Sequence, residues 1–215
     1  DHGGARQCYA KSKSLYEESN RSNPLEEAAW ELAVGLVDLK EGQPETAKQR
    51  LAKMASLRPK ITESNPLNTD LAEDLSLLLE GEILLAEGRV DEAIAVVGKR
   101  PDVSIPTLGS QTIFFYNFPG EWDVLARAFV AKNAFDEAIA EYERLVAPVP
   151  PRRDRRLVYP VFHYRLGRLY EEKGMIAKAV REYERFLEIM NGAGTGLAEA
   201  EDTSRRLDLL ARIRP

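Results

Sequence analysis

The sequence predicts an all-α protein: an α-solenoid of about four stacked helix pairs, with longer linkers between the pairs and flanking helices at the ends. Three observations predict it. One spacing of apolar and small residues recurs four times. A glycine or asparagine falls at the same place in every copy. Acidic residues alternate with lysine and arginine, as they do on solvated helix faces.

The spacing is clearest in the third copy, which reads Trp122, Leu125, Ala126, Phe129, Ala138, Tyr142 and Pro150. The fourth reads His163, Leu166, Gly167, Tyr170, Ala179 and Tyr183. The first is Val34, Gly35, Ala47, Leu51 and Pro59. The second is looser: Leu77, Gly81, Leu84, Ala93 and Val97, with Pro106 one place late.

The stops give an independent check. Gly42, Gly88, Asn133 and Gly174 each lie five residues before the small alanine of their copy, at Ala47, Ala93, Ala138 and Ala179. Gly and Asn tolerate the left-handed conformation that ends a helix. Each copy therefore reads as helix, stop, short turn, helix. Asp91 and Asp136 fall near the start of their second helices, where a carboxylate suits the helix dipole. The alanines are small because the two helices of a pair approach closely there.

The resulting helix map starts with a helix over 5–19. Four pairs follow, 25–41 with 44–57, 67–87 with 90–99, 121–132 with 135–146, and 160–173 with 176–190. Asn191, Gly192, Gly194 and Gly196 mark a loop, and a last helix over 197–213 caps the stack. Residues 1–215 thus read as one helical-repeat domain. It has an N-terminal helix in 1–23, repeats at 24–61, 67–107, 119–151 and 160–193, and a cap at 197–215.

This pattern resembles the tetratricopeptide repeat, most specifically in the last two copies, and covers about three quarters of the chain. The anchoring alanines are 46, 45 and 41 residues apart, against about 34 in the family. The surplus falls near 60–73, 104–118 and 152–159. The arrangement also resembles repeat cassettes of bacterial signalling proteins, such as serine/threonine kinases and nucleotide cyclases. Tyr116-Asn117-Phe118-Pro119 leading into Asp123-Val124-Leu125-Ala126-Arg127-Ala128 carries that likeness, as do the fourth copy's His163–Gly167 and Tyr183–Glu188. It implies an alternative role as the sensing or oligomerising region of a larger enzyme.

Composition narrows the function. The chain has 215 residues, 44% hydrophobic and 30% charged, with net charge −5. Such a chain has no global basic field for nucleic acid or anionic lipid. No apolar run approaches the roughly 18 residues of a membrane helix. The single cysteine, Cys8, cannot form an internal disulfide, which points to the cytoplasm. The chain opens on Asp1 with neither a methionine nor an apolar signal region, as a processed form or fragment would.

Catalytic chemistry is sparse, and no enzyme, metal or cofactor is expected. His2 stands near the terminus, and His163 occupies a place the family fills with a large core residue. Cys8 lacks a Cys or His at metal spacing. The Gly-rich piece 192–196 follows a helix instead of opening one from a strand, so it is no phosphate loop. Arg152, Arg153, Arg155 and Arg156 around Asp154 read as a solvated loop, with a patch for an acidic partner as the alternative. Phe114, Phe115, Tyr116 and Phe118 read as a plug between repeats, or otherwise as one wall of a ligand pocket.

The expected activity is recognition of a peptide or protein segment, an acidic one fitting best. In the resembled family the first helix of each pair lines a concave binding face. By motif position that face would carry Leu32, Leu78, Asp123 and Tyr164, then Leu36, Glu82, Arg127 and Arg168. The inferred contact residues are Asp123, Arg127, Tyr164, Arg168, Leu32, Leu36 and Leu78. The family's clamp for C-terminal carboxylates needs Lys and Asn at such places, and this chain has neither. The competing readings are burial of the leucines, and pairing of the arginines with Asp123 and Glu171.

Overall fold

The computed structural model describes residues 23–100, 123–147, 159–190 and 198–213, with Gly4, Gln7, Lys11 and Ser14 before them. Every regular element among the described residues is a helix, and the four early residues are helical too. The chain forms two compact units, Asp1–Asn117 and Phe118–Pro215.

Unit 1 contains α1 (Pro24–Lys40), α2 (Pro44–Ser64), α3 (Thr69–Ala86) and α4 (Val90–Val97). Asn23 starts α1 by accepting the Leu25 N–H at 3.0 Å, with Pro24 in the first turn. Both residue types suit a helix start, since the first N–H groups have no partner within the helix. Leu25, Ala28, Ala29, Leu32, Ala33 and Leu36 form the buried side of α1. Gly35 sits where α3 crosses, and a Cβ there would lie 2.9 Å from Leu79 Cδ1.

The second helix of this pair is longer than the sequence suggests. It was expected to end at 57, yet α2 runs through Pro59 to Ser64. Proline removes the bond that the Ala55 carbonyl would otherwise accept. Ala55 and Pro59 are both exposed, so water can take that place. Leu57 and Ile61 are buried on the other side, and their burial holds the helix together past the proline. Asn65 then ends α2 and opens a 3-10 turn, Pro66–Asn68, that leads into α3.

Unit 2 contains α5 (Val124–Ala131), α6 (Phe135–Val146), α7 (Val161–Glu172), α8 (Ile176–Met190) and α9 (Ala198–Ile213). Each helix packs on the next, and α9 lies against both α7 and α8. Tyr142, Phe162, Leu166, Tyr170, Tyr183 and Leu210 make up much of the core. The Tyr142 and Phe162 rings lie 6.1 Å apart, joining α6 to α7.

The stops are where the sequence places them. Gly42, Gly88 and Gly174 have φ of +73°, +75° and +70°, and Asn133 has φ of +60°. After each, the next N–H reaches a carbonyl five residues back: Gln43 to Asp38, Arg89 to Leu84, Ala134 to Phe129, Met175 to Tyr170. This double turn satisfies carbonyls that the helix end would leave bare. Ala47, Ala93, Ala138 and Ala179 are all fully buried. The aromatic stretch 114–118, the arginines of 152–156, Trp122, Cys8 and His2 lie outside the described residues.

Candidate functional site

The inferred contact residues fall into two groups. Leu32, Leu36 and Leu78 are 1%, 7% and 2% exposed, so the structure places them in the interior of unit 1 and not on an open face. They are apolar side chains at positions where neighbouring helices meet, and burial removes them from water. Their role in unit 1 is packing.

The unit 2 residues are polar, and each has found a charged or hydroxyl partner. Asp123, just before α5, is fully buried. Its carboxylate accepts from Tyr142 Oη of α6 at 2.8 Å and from Arg127 Nε of α5 at 2.9 Å. Arg165 Nη1 of α7 also donates to it. The i,i+4 pair of Asp123 and Arg127 is thus present, as one of the competing readings held. Three donors offset the cost of burying a charge, which an isolated carboxylate could not bear. Burial and the Asp123 charge together push the Tyr142 hydroxyl far above its usual range, so it stays protonated and donates. Burial pushes the Arg165 pKa down, but the Asp123 charge, the Tyr142 hydroxyl and the hydrogen bond to Asp123 together hold it above its usual value.

Tyr164 and Arg168 meet α9. Tyr164 Oη donates to Asp202 Oδ2 at 2.9 Å, while its ring packs near Tyr183 and Phe186. Arg168 Nη1 donates to Tyr164 Oη at 3.2 Å and lies 3.8 Å from Asp202. Glu171, the expected partner of an arginine, instead accepts from Arg206 at 2.9 Å and Tyr183 at 2.7 Å. Arg206 also bonds Asp202 at 2.6 Å. That guanidinium is the main reason the Asp202 carboxyl sits below its usual pKa.

A rule joins these contacts. Asp123 and Tyr164 occupy the same motif position in successive copies. Each is held by the next helix of the row α5, α7, α9, Asp123 by Arg165 of α7 and Tyr164 by Asp202 of α9. The position after the Trp-type residue is therefore a seam between repeats. Sequence reasoning missed Arg165 and Asp202. A signal was available: Arg165 lies 42 residues after Asp123, about one repeat on, with the opposite charge.

His163 is buried and pairs through Nδ1 with Glu182 at 2.7 Å, in keeping with a core role. Unit 1 has similar buried carboxylates. Arg50 bridges Glu31 and Asp38, Lys53 also reaches Glu31 at 2.7 Å, and Arg100 grips Asp74 at 2.7 and 3.1 Å. Burial pushes the Glu31 carboxyl up, but Lys53 and Arg50 bring it net below its usual value. Among the described residues, no group of three His, Cys, Asp or Glu could hold a metal. No described helix is long and apolar enough to cross a membrane.

The geometry of α7 and α8 is that of two antiparallel helices closed over a glycine: a Cβ on Gly167 would lie 2.6 Å from Tyr183 Cε1. Residues 161–189 match the tetratricopeptide repeat. That span is α7 and α8 almost to their ends. The tetratricopeptide match gives no support to the likeness with kinase- or cyclase-associated cassettes. No curated protein matches the chain.

Proposed function

We propose that this chain is a non-catalytic protein–protein interaction module that binds a peptide or protein segment through the first-helix face of unit 2. The supporting observation is the tetratricopeptide match over α7 and α8, a repeat generally found in interaction modules. Arg127 and Arg168 are the polar anchors of this face, their side chains 32% and 48% exposed. Arginine offers a fixed fork of donors to a carboxylate. Tyr164 supplies contact area with little entropy to lose. Asp123 holds the face together from within, and Leu32, Leu36 and Leu78 serve the scaffold as core.

The test begins with capture of a partner on the intact chain. Its affinity is then measured for Arg127→Ala and Arg168→Ala. Loss of a charged interface contact should cost about 2–5 kcal/mol. If both variants keep their fold and bind like the parent, this face is not the contact surface.

A further inference from the structure

We infer that Tyr164 and Arg168 of α7 form a carboxylate site whose resident occupant is Asp202 of α9, and that an acidic partner segment binds by displacing Asp202. This rests on the proposed interaction role and specifies both its ligand chemistry and its internal competitor. The site is defined by what already sits in it. Tyr164 Oη donates to Asp202 Oδ2 at 2.9 Å, and Arg168 Nη1 lies 3.8 Å from that same oxygen. Arg168 Nη1 also donates to Tyr164 Oη at 3.2 Å, so the two heads adjoin. One hydroxyl and one guanidinium thus converge on the place where a side-chain carboxylate is held.

Occupancy is incomplete on the α7 side. At 3.8 Å the contact of Arg168 with Asp202 is an ion pair without a hydrogen bond. Arginine has five N–H donors, and among the described residues this one hydrogen-bonds only Tyr164. Its side chain is 48% exposed, so the unused donors are open to a ligand.

Asp202 in turn does not depend on α7. Arg206 Nε of its own helix donates to it at 2.6 Å, and Arg205 Nη2 lies 3.5 Å from Oδ1. These i,i+4 and i,i+3 partners keep its charge paired when Tyr164 and Arg168 let go. The helix also has separate anchors: Thr203 and Leu210 are buried, and Arg206 holds Glu171 of α7 at 2.9 Å. The exchange therefore needs a side-chain rotation and leaves α9 in place. A partner's Glu or Asp brings the same carboxylate and can also fork onto Arg168, a contact that Asp202 does not make.

The test uses the full chain and a fluorescein-labelled, C-terminally amidated six-residue glutamate-rich peptide, with its glutamine twin, read by fluorescence anisotropy. Asp202→Asn should bind the glutamate peptide about tenfold more tightly than the parent does, since a hydrogen bond to a charged group no longer has an internal rival. The glutamine twin should not gain. Glu188→Gln makes the same change in net charge and frees Arg185, an exposed arginine that Glu188 holds at 2.5 Å. It should shift binding by no more than about twofold. Adding Arg168→Ala to Asp202→Asn should abolish the gain. Circular dichroism and urea titration establish that each variant is folded. Asp202→Ala, a better helix former, stands in if Asp202→Asn does not fold.

The inference is overturned if Asp202→Asn binds the glutamate peptide no more tightly than the parent, or if Glu188→Gln gains as much. A gain that survives Arg168→Ala, or that the glutamine twin shares, overturns it as well. Failure of both Asp202 variants to fold would make Asp202 a structural bond instead of a displaceable occupant, with the same result. If a captured partner is lost with Arg168→Ala yet binds Asp202→Asn like the parent, the interaction role stands and only this site falls. If the partner ignores Arg127→Ala and Arg168→Ala alike, both readings fall.

Discussion

Unit 1 and unit 2 use one repeat position in opposite ways. Leu32 and Leu78 fill it in unit 1, and both are buried among other apolar side chains. Asp123 and Tyr164 fill it in unit 2, and both are held by hydrogen bonds and ion pairs from a neighbouring helix. In unit 2 the position is a seam between repeats, and in unit 1 it belongs to the apolar core. An apolar core needs only volume to be filled, and it tolerates any well-fitting neighbour. A polar seam needs named partners at set distances, because a buried charge without them is costly. The polar seam also brings guanidiniums to the surface beside it, which an apolar core cannot do.

This contrast can be broken or sharpened by substitution. The largest effect is expected in the apolar core: Leu78→Ala should lose about 2–5 kcal/mol, read by urea denaturation, because it leaves a cavity. The polar seam comes next. Asp123→Ala strands the Tyr142 hydroxyl and two guanidiniums, and breaking a buried pair costs about 3–5 kcal/mol. Here the arginines are one-third exposed and can turn to water, so the loss should lie near 3 kcal/mol or below. A loss under about 1 kcal/mol, the range of a surface pair, would mean that the polar seam is solvated and holds nothing.

A smaller effect separates seam from pair packing. Ala179 is fully buried in α8, and Ala179→Leu should overpack the fourth pair at a cost of about 1–3 kcal/mol. A melting curve like the parent's would show that the close approach of the helices lies elsewhere. The last prediction concerns acid. Burial pushes the Glu31 carboxyl up, but Lys53 and Arg50 hold it below its ordinary value. Its contribution is therefore complete above that value and fades as pH falls through the lower, folded-state value. The urea midpoint should drop as pH is lowered below about 4.5. In Glu31→Gln that fall should be shallower, and an unchanged slope would remove Glu31 from the account.

The sequence by itself determined the helix pairs, their stops and the small buried residues within them. These depend on local chemistry. A left-handed turn selects Gly42, Gly88, Asn133 and Gly174 wherever the rest of the chain lies. Ala47, Ala93, Ala138 and Ala179, the small residues at one fixed place in each copy, are all fully buried. The tertiary structure alone decided where α2 ends, because continuation past Pro59 depends on the burial of Leu57 and Ile61 against neighbours. It also decided which first-helix residues face solvent. Leu32, Asp123 and Tyr164 look like surface positions when one pair is considered by itself; Leu32 is buried in the folded chain, and Asp123 and Tyr164 are each claimed by the next helix of their row. Arg165 and Asp202 supply those claims across 42 and 38 residues of chain, a separation at which no local rule acts. Burial and ion pairing are properties of neighbours in space, and only the folded chain brings such neighbours together.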